Sequence, residues 1–586
     1  MRVFAAVLLG MSLAASPLLA GNAGETGKED APAAVITASS VPDKPVAVKP
    51  EASAIESEMQ DLRSLVEEQR AELEAERAAL KAQELKMEAL EEKFGASASE
   101  RVSTPVATTA AISSAAPISS AVSSASAFGT AATPAASPAQ KGNDEVSPLQ
   151  FKIGTAYITP VGFMDFTGVF RSHDEGSGIG TNFAGIKYGN TFNTKLSEYR
   201  MSMQNSRVGF RVDAMIGGSH VIGYMESDYL GNNPGNVAVS SNSNTFRSRL
   251  YWVDISKSSW EVLGGQTWSL ITPGRTGISP LPGNLFFSQD IDVNYQAGLV
   301  WGRIPELRFV YHPTSRAAIA VAIDSPEQYG GGSAGGPSIV LPAALAAAIG
   351  PASSSTTSAQ MNFGGTTLNV PNVAPDFIAK VALDPTSKFH FEFGGLVREF
   401  KLWNAAPAPA GTTFTKTGAG GFVNLNAEVF KGFRLITNNY WASGGGRYIF
   451  GQVPDFIVRA DNSISPIKAA STVSGFEYTM KNSFFYAYYG GIYAYQNTAL
   501  DANGTTVIGY GVPGSASQNR LIQEETIGLN ETIWKDAKYG AVNLMGQYSY
   551  VNRNPWATVN PSDAHVNMVF LNLRYTLPGS APTLGK

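Results

Sequence analysis

Cysteine is absent from this chain of 586 residues, and charged residues make up only 16% of it. Without cysteine the chain has no disulfide bonds, thiolate metal sites or cysteine nucleophiles. Long apolar runs are also missing, because no window after residue 20 holds the roughly 18 apolar residues that a membrane-spanning helix needs. Any segment that crosses a membrane must therefore cross it as a β-strand.

Histidine is scarce, and its spacing does not suggest a metal site. The five histidines are dispersed along the chain, and none lies at His-x-x-x-His or Glu-x-x-His spacing. We therefore expect no metal, no cofactor and no enzyme activity. A catalytic site assembled from distant strands stays open as an alternative.

Short segments of about ten residues alternate between apolar and polar side chains through the last part of the chain, from residue 148 to 586. In the stretch 389–394 three phenylalanines occupy one face, while His390, Glu392 and Gly394 occupy the other. A soluble β-sandwich alternates in the same way, but it turns its apolar face inward. The alternation, together with alternating short turns and long loops, predicts a transmembrane β-barrel.

We predict about 16 antiparallel strands, an even number that closes the sheet without an unpaired edge. The predicted strands are 156–170, 198–212, 219–228, 246–256, 259–268, 294–312, 316–323, 376–383, 388–398, 419–430, 432–441, 472–480, 483–495, 521–534, 538–551 and 565–577. Seven connections are short and eight are longer, so the short turns are expected at the periplasmic end. Aromatic residues near strand ends are expected in interfacial girdles. They include Phe163, Trp252, Trp260, Trp301, Tyr440, Trp534 and Tyr575.

The N-terminal quarter of the chain has a different organisation. Residues 1–20 have the charged, apolar and small-residue regions of a secretory signal peptide. Residues 21–53 and 96–147 are low-complexity linkers, of which the first is predicted to be disordered. Between them, residues 54–95 carry a heptad repeat that predicts an α-helical coiled coil.

The heptad positions are expected to hold two or more helices together. The predicted oligomerisation residues are Met59, Leu62, Val66, Leu73, Leu80, Met87 and Leu90. Three consecutive polar layers, at Gln69, Glu76 and Gln83, interrupt the apolar seam. A single charged helix stabilised by i, i+4 ion pairs is therefore the alternative.

Two pairs of segments resemble hairpins of Gram-negative general porins. Gln204–Arg211 contains a Ser-Arg-x-Gly-Phe strand, and Val221–Glu226 is a following strand that ends in glutamate. Arg249–Val253 and Trp260–Gln266 resemble the next porin hairpin. With a heptad segment ahead of the barrel, the chain is similar to DcaP-type trimeric porins.

This resemblance implies a homotrimer in the bacterial outer membrane, with the coiled coil in the periplasm. It also implies that the third long loop folds into the lumen and narrows it. The corresponding segment is 269–289, and it brings Asp290 and Asp292 near the constriction. The alternative is an ordinary extracellular loop.

The predicted barrel is more basic than the rest of the chain. Residues 151–586 contain 31 Lys and Arg against 28 Asp and Glu, whereas the preceding residues contain 12 against 20. Strand alternation, with Val208, Phe210, Leu250 and Trp252 facing lipid, places a set of arginines in the lumen. The predicted pore-lining residues are Arg200, Arg207, Arg211, Arg247, Arg249 and Arg275.

Arginine binds carboxylates in a bidentate manner and stays charged at every relevant pH. The arginine set therefore suggests a pore that favours anions such as small carboxylates. Glu198, Asp213, Glu226 and Asp228 lie close in sequence, so pairing that neutralises the arginines is the alternative.

The sequence thus predicts an outer-membrane porin for passive diffusion of small hydrophilic solutes. Its expected partners are outer-membrane lipid and lipopolysaccharide, with no nucleic acid. The alternative function is an envelope tether that acts through the coiled coil.

Overall fold

A computed structural model describes residues 149–231, 244–286, 289–331, 338–349, 374–404, 411–557 and 564–578. These residues belong to one compact unit, 118–586. The predicted signal peptide, the two linkers and the coiled coil with its seven heptad positions lie outside the described residues.

Nearly all described secondary structure is β-strand. The strands are β1 (Phe151–Ile153), β2 (Ala156–Arg171), β3 (Glu198–Ser202), β4 (Arg207–Ile216), β5 (Ser219–Asp228), β6 (Arg247–Lys257), β7 (Trp260–Trp268), β8 (Arg303–Thr314), β9 (Ala317–Asp324), β10 (Asp376–Thr386), β11 (Phe389–Asn404), β12 (Thr412–Phe430), β13 (Phe433–Ser443), β14 (Phe456–Val458), β15 (Ile464–Pro466), β16 (Lys468–Met480), β17 (Ser483–Ala494), β18 (Asn497–Leu500), β19 (Val507–Tyr510), β20 (Asn519–Asp536), β21 (Gly540–Pro555) and β22 (His565–Thr576). A short helix, α1 (Ala343–Ile349), lies between β9 and β10. None of the described helices has the length and hydropathy to cross a bilayer.

The strands form a closed antiparallel barrel of 16 strands. Closure occurs between β2 and β22, where Phe163 lies opposite Thr576 and Arg171 lies opposite Met568. Strands β3 and β4 both pair with β2 and form two halves of one barrel strand. The hairpins β14–β15 and β18–β19 lie in long loops and do not belong to the barrel sheet. The predicted strand number and antiparallel closure are thereby confirmed.

One predicted strand begins too early. The sequence suggested a strand over 294–312, but β8 begins at Arg303, and residues 294–302 belong to the preceding loop. This loop segment is apolar and buried, with Trp301 stacked on Phe450 at a ring distance of 5.0 Å. A buried apolar loop and a barrel strand therefore have the same sequence pattern here.

The outer face of the barrel wall is apolar, and the inner face carries both charged and apolar side chains. On β9, Ile319 and Val321 are about half exposed, while the intervening Ala320 is buried inside. On β11, Phe393 is exposed outside, whereas Glu392 is fully buried. This orientation matches a barrel solvated by lipid on its outside, and not a sandwich with an apolar core.

A β-bulge reverses part of the predicted orientation of β6. The pairing of β5 with β6 shifts between Glu226 and Ser227, which leaves Arg249 without an opposite residue. Leu250 and Trp252 consequently face the interior and are buried, so their predicted lipid-facing position was wrong. A bulge adds one residue to a strand and moves every later side chain to the other face.

The aromatic girdle is also smaller than predicted. Trp260 and Trp534 are exposed on the outer surface, at 48% and 44%. Four of the predicted girdle residues are instead buried: Phe163, Trp252, Trp301 and Tyr440. Their rings fill the interior, so proximity to a strand end was insufficient to place them in a girdle.

Candidate pore constriction

The connection between β7 and β8 runs through the interior of the barrel. We call residues 269–302, apart from the undescribed 287 and 288, the constriction loop. Its backbone N–H groups bond to side chains on distant strands: Gly274 to Glu392 at 3.0 Å, and Ala297 to Glu524 at 2.7 Å. Strands β11 and β20 lie far around the barrel from β7, so the loop spans the lumen. It extends 13 residues beyond the predicted segment 269–289.

Glu392 on β11 anchors the first half of the constriction loop. Its carboxylate accepts hydrogen bonds from the Gly274 backbone at 3.0 Å, Lys380 Nζ at 3.1 Å and Asn424 Nδ2 at 2.7 Å. Lys380 Nζ also donates to the Thr272 carbonyl at 2.7 Å. Glu392 is fully buried, so the lysine charge and the two other donors replace its lost hydration.

His390 extends this anchor along β11. Its Nδ1 lies 2.9 Å from Asp384 Oδ1, and its Nε2 lies 3.3 Å from Glu392 Oε2. Both carboxylates are satisfied when the imidazole carries two protons, because each ring nitrogen then donates. Asp384 in turn accepts a hydrogen bond from the Gly277 backbone at 2.8 Å. The His390 network therefore fixes a second point of the loop.

Arg275 anchors the tip of the loop to another strand. Its Nη1 and Nη2 bind the two carboxylate oxygens of Glu477 at 2.9 and 2.8 Å. Tyr488 donates to the same carboxylate at 2.7 Å, and the guanidinium lies 5.0 Å from the Phe286 ring centre. Arg275 thus holds the loop in place through a bidentate ion pair, in addition to its predicted position in the lumen.

Asp290 and Asp292 lie in the second half of the loop, and both are buried. Asp292 accepts hydrogen bonds from the backbone N–H groups of Thr181 at 3.2 Å and Asn294 at 2.7 Å. Burial raises the pKa of Asp292 above its usual range, although these hydrogen bonds oppose the shift. Between the two aspartates, the Ile291 backbone bonds to Gln547 on β21 at 2.5 Å. Asp292 and the Ile291 backbone therefore connect this half of the constriction loop to its surroundings.

Arginines and carboxylates from β4, β5 and β6 form an interior network on one wall. Arg249 binds Glu226 at 2.9 Å and Asp228 at 2.5 Å, and Arg247 binds Asp228 at 2.8 Å. Arg207 lies 3.6 Å from Glu226. Three arginines thus share two carboxylates, so positive charge is in excess within this network.

The other predicted arginines on this wall are paired as well. Arg211 binds both oxygens of Asp213 at 2.7 and 2.8 Å, and Arg200 binds Glu198 at 2.6 Å. Arg200 is 44% exposed, whereas Arg207 and Arg249 are buried. Every predicted pore arginine therefore has a carboxylate partner. This is the alternative given in the sequence analysis, in which carboxylates pair with the arginines.

A further interior ion-pair network was missed in the sequence. Arg398 on β11 binds Asp376 at 2.9 Å and Asp455 at 2.9 Å, and Tyr448 donates to Asp376 at 3.0 Å. Alternation around the exposed Val397 could have placed Arg398 inside. Its loop partners, Asp455 and Tyr448, follow from the fold alone.

The chain resembles known proteins in its structure and not in its sequence. The sequence matches no known family model and no curated protein sequence. The structure is similar to the outer-membrane channel DcaP of Acinetobacter baumannii, with a TM-score of 0.53 and 17% identity over 73% of this chain and 99% of DcaP.

Two other solved structures show weaker similarity. The anion-selective porin from Comamonas acidovorans has a TM-score of 0.39 and 12% identity over 72% of this chain and 100% of that porin. Salmonella typhi OmpF has a TM-score of 0.40 and 8% identity over 73% of this chain and 100% of OmpF. The likeness to DcaP, at 17% identity, shows that this chain has the fold of an outer-membrane channel barrel.

Proposed function

We propose that this protein is a porin of the bacterial outer membrane through which small hydrophilic solutes diffuse passively. The observation that carries the proposal is the closed barrel of 16 strands, apolar outside and with charged networks inside, with a loop folded across its interior. A barrel of this size leaves room for an aqueous channel, and a loop in the lumen restricts the size of the solutes. Lipid and lipopolysaccharide would then surround the apolar outer face.

We also propose that the pore prefers anions, carboxylates among them. The excess of arginine over carboxylate on the β4–β6 wall supports this preference. Buried N–H groups of Arg207, at Nε and Nη2, and of Arg249, at Nη2, have no hydrogen-bond acceptor among the described residues. Because both side chains are buried, they would act on a passing carboxylate through their uncompensated positive potential rather than by direct contact.

Reversal potentials test both parts of the proposal. Purified protein in a planar bilayer should form channels, and a KCl gradient should give a potential of anion-selective sign. Arg207→Gln should lower the ratio of anion to cation permeability, on the order of two- to tenfold, because it removes one interior positive charge. Arg459→Gln is the matched control, since Arg459 is exposed in the loop between β14 and β15.

The possible outcomes separate the two claims. An absence of channels would contradict the porin function. Channels with cation preference, or an unchanged ratio in Arg207→Gln, would contradict the anion preference and leave the porin function standing.

The homotrimer and the periplasmic coiled coil are proposals as well. They rest on the heptad repeat over 54–95 and on the resemblance to DcaP-type porins. The envelope tether stays as the second candidate, supported by the same heptad segment.

A further inference from the structure

Six of the seven short turns carry a basic residue at or next to the turn. All seven turns connect successive antiparallel strands at the same end of the barrel. The six basic side chains are exposed. We call one such residue at each turn the basic collar: Lys257, Arg316, Lys388, Lys431, Lys481 and Lys535. The turn after Lys535 also carries the exposed Lys538.

Carboxylates near the collar are largely engaged elsewhere. Asp384 accepts from the Gly277 backbone and lies beside His390. Asp536 accepts the backbone N–H groups of residues 538 and 539. Glu428 lies 3.9 Å from Lys388 and 3.6 Å from Arg434. These three carboxylates stay charged, but the six collar residues and Lys538 outnumber them seven to three, so the collar presents net positive charge to its surroundings.

Exposed aromatic rings lie beside the collar on the outer surface. Trp260, three residues after Lys257, packs on Tyr311 with ring centres 4.3 Å apart. Phe430 and Phe433, on either side of the Lys431 turn, stack at 4.6 Å. Amphipathic and aromatic rings concentrate where the hydrocarbon of a membrane meets its headgroups. Basic side chains immediately beyond such rings lie at the depth of lipid phosphates.

We propose that the basic collar binds the headgroups of anionic phospholipids in the membrane leaflet at the short-turn end of the barrel. The inference rests on the proposed membrane location of the protein. Ammonium and guanidinium groups attract anionic lipid headgroups, and this attraction falls off within a Debye length. Because basic residues lie at six turns spread around the barrel, anionic lipids are bound along its circumference rather than in one pocket.

Lipid selectivity can be measured on the full chain reconstituted in phosphatidylcholine vesicles. Brominated phosphatidylglycerol and brominated phosphatidylcholine quench the fluorescence of tryptophans that they contact, and Trp260 and Trp534 are exposed on the outer face. We expect phosphatidylglycerol to bind several-fold more strongly than phosphatidylcholine at low salt. Raising the salt concentration should reduce this preference, because it screens exposed charges.

A variant with five collar residues replaced by glutamine should lose the preference, to within about twofold of phosphatidylcholine. The replaced residues are Lys257, Arg316, Lys431, Lys481 and Lys535. The matched control replaces five exposed basic residues away from the short turns, and it should retain the preference. These residues are Lys195, Lys416, Arg459, Lys468 and Arg520.

The outcomes are distinguishable from failure of the porin proposal. Wild-type protein without a lipid preference, or an equal loss in the control variant, would overturn the collar proposal. If the collar variant fails to insert, variants with two or three of these glutamine changes test the proposal, and an undiminished preference in them would overturn it. Channel activity is recorded separately in phosphatidylcholine bilayers, so a loss of conductance contradicts the porin function alone.

Discussion

At the scale of single residues, the interior contains carboxylates with very different surroundings. Glu392 lies within hydrogen-bond distance of four donors, whereas Glu175, in the loop between β2 and β3, accepts a single long hydrogen bond among the described residues, of 3.4 Å from the Asn182 backbone. Burial raises the pKa of Glu175 to about 7, although the neighbouring Arg171 opposes the shift. The environment of each carboxylate therefore sets its charge, and strand alternation reveals only which face it occupies.

The raised pKa of Glu175 predicts a pH dependence of stability. Between its ordinary value of 4.5 and about 7 the folded protein binds more protons than the unfolded chain, so stability falls as the pH rises through this window. The contribution is on the order of 3 kcal/mol. Glu175→Gln should reduce this slope in urea-unfolding midpoints measured between pH 4.5 and 8, while buried Asp292, whose pKa is also raised, still contributes to it. Glu399→Gln should keep the full slope, and an undiminished slope in Glu175→Gln would contradict the assignment.

At the scale of elements, the constriction loop depends on contacts that no local pattern reveals. Arg275 and Glu477 are 202 residues apart, and Gly274 and Glu392 are 118 apart. The strands were predictable because each alternates within itself. The bulge at Arg249 and the buried loop segment 294–302 were not predictable, because contacts with other strands and loops determine them.

Glu392→Gln should loosen the constriction loop. The change leaves Lys380 buried without a negative charge beside it, at a cost of roughly 3–5 kcal/mol in the free energy of unfolding. We expect higher and noisier single-channel conductance in planar bilayers, because a neutral amide oxygen holds the Gly274 and Lys380 donors more weakly than the carboxylate does. The double variant Glu392→Gln with Lys380→Met should recover much of the stability, since no uncompensated charge remains. Unchanged conductance and noise in Glu392→Gln would show that this anchor does not position the loop.

At the scale of the whole molecule, closure of the barrel was predictable from the sequence. The even number of alternating segments and the pattern of short and long connections indicated the closed sheet. The resemblance to porins suggested that the segment 269–289 folds into the lumen, but its path across the interior follows from β11, β16, β20 and β21 together. The seven heptad positions stay predictions.

Deleting residues 21–146 separates the porin from the tether. The shortened chain should still conduct in planar bilayers, because the described barrel begins after this segment. It should also form fewer trimers in native mass spectrometry, since the heptad positions are removed. A control variant with Ser/Gly linker in place of residues 96–146 should keep the trimers. Loss of the envelope phenotype with intact conductance would instead favour the tether.

The anchoring of the constriction loop has a consequence for biogenesis. Its partners on β11, β16, β20 and β21 are made long after the loop itself, so none of these bonds exists until the later strands have joined the sheet. The loop can therefore cross the interior only when all four strands are in place. A chain that ended before β20 would lack two of these anchor strands and also the pairing of β2 with β22 that closes the wall, so one and the same completed sheet is required for the wall and for the narrowing inside it.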